Sequence, residues 1–94
     1  EPLLAYPVRY SDIDLNRHVN SVKYIEHMLD SFTLQQYDEK YIKRFEINYI
    51  SEARYGMDFK IYRNELDADI FAIDIKNNED EAVCRGKVTF IPRR

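Results

Sequence analysis

Between residues 12 and 20 the chain reads Asp-Ile-Asp-Leu-Asn-Arg-His-Val-Asn, with a polar side chain at every second position. Asp12, Asp14, Asn16, His18 and Asn20 bring together two carboxylates, two carboxamides and an imidazole. In an extended segment alternate side chains share one face, so the five would line one wall while Ile13, Leu15 and Val19 turn toward a core. Such a set contains a base for activating water, an amide donor for a developing oxyanion and a group that exchanges protons near neutral pH. Asx-rich loops also cap helices without doing chemistry, but His18 adds nothing to a cap. A second candidate is Glu52, in Ile50-Ser51-Glu52-Ala53-Arg54, where the alternation of the preceding strand gives way. Taken singly, a solvated carboxylate paired with Arg54 is the plainer account of it, since such surface pairs contribute little.

Other chemistries lack their signatures. There is no Gly-x-Ser-x-Gly elbow, no phosphate-cradling glycine loop and no His-Glu-x-x-His. Asp12, Asp14 and His18 carry metal-ligating atoms, but nothing else at ligand spacing supports a metal, and no cofactor is expected. Cys84 lies inside a strand pattern and reads as a small core residue. His27, between Glu26 and Met28 on a predicted helix, reads as a partly buried structural residue.

These residues need elements to hold them. Leu3 to Tyr10 reads as a strand, placed by Pro7 at an edge or a bend. From Asn20 to about Phe32, Val22, Ile25, Met28, Leu29 and Phe32 recur at spacings of three and four, which predicts an amphipathic helix capped by Asn20 or Ser21. Residues 33–40 form a short second helix or a loop. Period-two alternation then marks four strands, around Phe45 to Tyr49, Phe59 to Arg63, Ile70 to Ile75 and Val83 to Ile91. They are separated by Tyr55-Gly56, Asn64-Glu65-Leu66-Asp67 and Asn77-Asn78-Glu79-Asp80. The expected order is strand, helix, then a four-strand meander, an α+β domain whose sheet wraps a single helix and buries it on most sides.

Composition sets the bounds. The chain has 94 residues, 45% hydrophobic and 33% charged, enough for one core and too apolar for a disordered chain. A net charge of −3 argues against nucleic acid as a partner, and no stretch is long and apolar enough to span a bilayer. One cysteine permits no internal disulfide, so an intracellular setting is expected.

The segment from Tyr10 to Glu26 resembles the hallmark of the acyl-acyl carrier protein thioesterases of plants and bacteria. That hallmark has the form Asp-x-Asp-x-Asn-x-His-Val-Asn-x-x-x-Tyr, and residues 45–54 resemble the strand that follows it. The resemblance covers nearly the whole chain and implies a hotdog fold, an antiparallel sheet wrapped around one central α-helix. It implies that residues 1–94 are a single hotdog domain, the C-terminal, catalytic half of a two-hotdog enzyme; the chain ends agree with a piece of a longer protein. By position, Asp14, Asn16, His18 and Glu52 match the family's catalytic residues. Plant members carry a cysteine directly after that glutamate, whereas Ala53 stands here, which leaves a carboxylate-and-water route.

The resemblance further implies hydrolysis of fatty acyl-acyl carrier protein, releasing free fatty acid and ending chain elongation. Glu52 or Asp14 would be the base, Asp14 would set the His18 tautomer, and Asn16 with the amides near Val19 and Asn20 would hold the oxyanion. The implied partners are an acyl carrier protein bearing a fatty acyl-phosphopantetheine, and a second hotdog in cis or in trans. Arg17, Lys23, Lys40, Lys43 and Arg44 are candidates for docking the acidic carrier. The implied location is the bacterial cytoplasm, or the plastid stroma for a plant protein. Two alternatives remain open at this point: a homodimeric hotdog acyl-CoA thioesterase, and a non-catalytic acyl-binding or support domain.

Overall fold

The computed structural model describes residues 2–14 and 17–93. The elements are β1 (Leu4–Pro7), a 3-10 turn (Tyr10–Asp12), α1 (Ser21–Leu29), α2 (Leu34–Glu39), β2 (Lys40–Tyr49), β3 (Asp58–Asp67), β4 (Ile70–Lys76) and β5 (Ala82–Pro92). The strand expected over residues 3–10 is shorter than predicted, because the chain leaves the sheet after Pro7 and coils into the 3-10 turn. Pro7 does lie on an edge strand, as its missing N–H requires. Among the described residues, no helix is long and apolar enough to cross a membrane.

All five strands pair antiparallel in the order β1-β3-β4-β5-β2. The expected four-strand meander is therefore only partly present. β3, β4 and β5 form it, but β2 pairs with β5 at the far edge instead of lying beside β3. The chain from Ile50 to Met57 consequently crosses the end of the sheet from one edge toward the other. A bulge steers its start. β5 slips register against β4 between Lys76 and Ile75, leaving Val83 as the extra residue. The Val83 carbonyl accepts the N–H groups of both Ile50 (3.0 Å) and Ser51 (3.1 Å). The same bulge buries two successive residues, Val83 and Cys84, where a regular strand would alternate.

α1 lies on the inner face of the sheet, capped by the Asn20 side chain, which accepts the Val22 N–H at 2.9 Å. Tyr24 and Met28 are its buried residues. Val22, expected in the apolar stripe, is 55% exposed, so this helix is covered on one side only. At the other end of α1, Phe32 meets Phe90 (4.9 Å) and Phe71 (5.2 Å) edge-on. Arg63, in an inward phase of β3, stacks over Phe32 and donates to the Ser31 carbonyl just beyond the helix end. A charged residue thus fits an apolar position by capping a helix.

Helix and sheet approach closely at Gly86 of β5. A Cβ there would stand 2.6 Å from Met28 Sδ and 3.2 Å from Phe45 Cε1. Met28 is fully buried and has little room to move. Gly86→Ala is accordingly expected to destabilise the fold by about 1–3 kcal/mol through overpacking. Urea denaturation of the purified protein measures it.

Candidate functional site

The polar segment ahead of α1 is not extended. After the 3-10 turn the chain folds back on itself: Ile13 bridges Val19, the Asp14 N–H donates to the His18 carbonyl (2.9 Å), and the Arg17 N–H donates to the Asp14 carbonyl (3.0 Å). Arg17 closes this reversal with a positive φ of 65°. The expected five-residue wall is therefore broken into separate groups. Asp12 is buried and turned toward α1, Asn20 caps the helix, and Asp14 stays in the tight hairpin, where its Oδ1 accepts the His18 N–H at 3.3 Å. Asn16 lies outside the described residues. Val19 faces the core, as expected.

The crossing segment meets this hairpin. His18 forms an antiparallel bridge with Arg54, and the Val19 N–H donates to the Ala53 carbonyl at 3.3 Å. Strand alternation then puts Glu52 and Arg54 on one face and Ala53 on the other. Glu52 is the diagonal cross-strand neighbour of His18, within reach of long side chains. Glu52 Oε2 lies 3.2 Å from His18 Nδ1, with side-chain exposures of 56% and 38%. The carboxylate thus goes to the imidazole rather than to Arg54. Beside Asp14, a cleft of about 500 Å³ opens between the exposed rings of Tyr10 and Tyr55.

The amides proposed for an oxyanion are engaged elsewhere. Val19 N–H goes to Ala53, and Asn20 N–H to the Asp12 carbonyl (2.8 Å). This is a correction to the expectation: the Asn20 donor is taken up where the chain folds back on Asp12, and the Val19 donor by pairing with the crossing segment.

Sequence reasoning missed Tyr24. Its hydroxyl accepts the Ala53 N–H at 2.8 Å, deep in the core. Burial raises the phenol above its ordinary pKa, against the opposing pull of the Ala53 hydrogen bond. The tyrosine of the hallmark segment was the available signal, but a helical aromatic reads first as core.

His27 is structural in kind. Its ring lies between Phe59 (4.5 Å) and Tyr6 (5.0 Å), and Nε2 sits 3.5 Å from Asp12 Oδ1, a contact without hydrogen-bond alignment. The other Asp12 oxygen accepts the Arg9 N–H at 2.8 Å. Asp12 is thereby withdrawn from Asp14 and His18, and no group of three or more metal-ligating side chains occurs among the described residues. Of the basic candidates, Lys40 pairs with Asp69, Lys23 with Glu26 (3.4 Å) and Arg44 with Glu46 (3.3 Å). Lys43 is the bulged residue of β2 and is exposed.

Cys84 is fully buried, and desolvation pushes its thiol up to about 12. A thiol held protonated is no nucleophile. A thiol reagent is expected to spare native protein while labelling the urea-unfolded chain. Cys84→Ala should leave turnover within about twofold and lower stability by about 1–2 kcal/mol.

A five-stranded antiparallel sheet with α1 against its inner face is the arrangement of a hotdog domain, and the histidine–carboxylate pair lies near the start of that helix. The sequence profile of the acyl-ACP thioesterase C-terminal domain matches residues 2–92, and the chain belongs to that family. Its fold is similar to that of an acyl-ACP thioesterase from Bacteroides thetaiotaomicron, at 42% identity and a TM-score of 0.93, over 97% of this chain and 37% of that one. The 12:0-ACP thioesterase from Umbellularia californica superposes with a TM-score of 0.85 at 19% identity, over 99% of this chain and 35% of that one. A hypothetical protein from Staphylococcus aureus, solved with CoA, shares the fold at 17% identity and a TM-score of 0.85, over 94% of this chain and 72% of that one. This chain spans little more than a third of the first two relatives. Comparison with curated proteins finds no match.

Proposed function

We propose that this chain is the C-terminal, catalytic hotdog of a thioesterase that hydrolyses fatty acyl-acyl carrier protein and so ends acyl-chain elongation. The observation that carries the reading is the 3.2 Å contact between His18 Nδ1 and Glu52 Oε2, made by two segments far apart in sequence. A support domain has no use for that convergence. Family membership and the length of the Bacteroides relative favour a second hotdog in the same protein over a homodimer of single domains.

The chemistry follows from the pair. A neutral His18 donates its Nδ1–H to Glu52 and keeps a lone pair on Nε2 for a water proton. The water oxygen adds to the thioester carbonyl carbon, and the proton passes to Nε2. The tetrahedral oxyanion collapses, the C–S bond breaks, and the thiolate takes the proton back from the imidazolium. A thiol has a pKa near 8.5, so its departure needs little acid assistance. Glu52 is assigned as the carboxylate of the base, because Asp14 is tied to the hairpin amide. Asn16 is assigned, from the motif, as the side-chain donor to the oxyanion.

In the full-length protein, Glu52→Gln and His18→Ala are each expected to lower kcat by at least about 100-fold on an acyl-acyl carrier protein, the range of general-base removal. Asp14→Ala and Asn16→Ala should lower it by at least about tenfold. Near-normal turnover in all four would make the assignment wrong.

The carrier docks, on this reading, against the exposed bulge of β2. Lys43 stands six residues before Tyr49, roughly 20 Å along the strand, a separation suited to a substrate held on a long arm. Lys43→Glu combined with Arg44→Glu is expected to raise KM severalfold at low salt with kcat unchanged. A KM insensitive both to these changes and to salt would remove the docking site.

A further inference from the structure

The backbone of Ala53 is held on both sides. Its N–H donates to the Tyr24 hydroxyl at 2.8 Å, and its carbonyl accepts the Val19 N–H at 3.3 Å. Ala53 is 1% exposed and Tyr24 is 3% exposed, so water cannot replace the phenol oxygen as acceptor. The Tyr24 ring is itself fixed by edge contacts with Tyr49 (5.8 Å) and Phe59 (5.9 Å). Tyr49 in turn donates from its hydroxyl to the Ser21 carbonyl at 3.3 Å, on the first residue of α1. The helix therefore sets the height of the crossing segment at the residue that follows Glu52. Glu52 is more than half exposed, and a flexible, wet carboxylate has no reason of its own to stay against His18.

We infer that Tyr24 is a positioning residue for the reaction. Through the Ala53 amide it holds the backbone of Glu52 where the carboxylate reaches His18 Nδ1. The inference rests on the assignment of Glu52 and His18 as the catalytic pair. It differs from a packing role, because removing one oxygen atom from a core ring should impair turnover only while Glu52 is there to be placed.

The test is a double-mutant cycle in the full-length protein on an acyl-acyl carrier protein, with Tyr24→Phe, Glu52→Gln and the two combined. Tyr24→Phe is expected to lower kcat about tenfold with KM within twofold, and to change kcat less than twofold in the Glu52→Gln background. Its effect on Tm should be the same in both backgrounds. Equal loss of kcat in both, or none in either, overturns the positioning role while leaving the catalytic pair intact. Wild-type kcat in Glu52→Gln overturns both together. If Tyr24→Phe does not fold, Tyr24→4-aminophenylalanine keeps a weaker acceptor at the same place. About threefold loss of kcat is then expected, again vanishing with Glu52→Gln, and persistence of that loss overturns the inference.

Discussion

The backbone of one residue joins the two halves of the candidate site. Ala53 carries no reactive group, yet its N–H and carbonyl tie the crossing segment to α1 through Tyr24 and to the hairpin through Val19. Both bonds are shielded from water, and breaking either would leave a buried polar group without a partner, at a cost of about 1–3 kcal/mol. That penalty makes the register between residues 18–19 and 53–54 hard to slip. A slip of one residue would turn Glu52 to the opposite face and Ala53 toward solvent. Helix, hairpin and crossing segment are thus specified as one unit, with the bulge at Val83 deciding where the crossing begins.

The pair so positioned is wet in this domain alone. With about half of the Glu52 side chain in solvent, its interaction with His18 is screened and weak as a stabilising contact. A base works better in a site from which water is partly excluded, where the same geometry carries more electrostatic weight. Val22, at the helix start, and Tyr49, Ile50 and Tyr55, in or beside the crossing segment, are large apolar residues left exposed in this domain. In the proposed two-hotdog arrangement the second domain would supply a cover and complete the chemistry.

Much of this was legible in the residues, and the failures have a common cause. The first helix, the edge position of Pro7 and the core role of Cys84 follow from local period, and the hotdog class from the resemblance of the hallmark segment. What local pattern does not contain is pairing between distant segments. The alternation of Phe45, Ile47 and Tyr49 marks a strand but not its neighbour, so β2 was expected beside β3 rather than β5. Likewise Asp12, Asp14, His18 and Asn20 alternate perfectly in sequence, while the backbone bonds of the hairpin scatter them. Val22 keeps the apolar period of a core residue because that period marks any dry face, including one that another domain would cover.

Position 53 also bears on how a thioester could be attacked. The plant members of the family place a cysteine there, beside the glutamate, which invites a nucleophilic thiolate. In this chain Ala53 is buried, on the opposite face from Glu52 and His18. A longer side chain on the same backbone would enter the core near Tyr24 rather than the cleft. Burial also raises a thiol's pKa, as it does for Cys84, and so works against the thiolate that such a route needs. In the proposed reading, a side chain at position 53 is turned away from the His18–Glu52 pair, which leaves water as the attacking group.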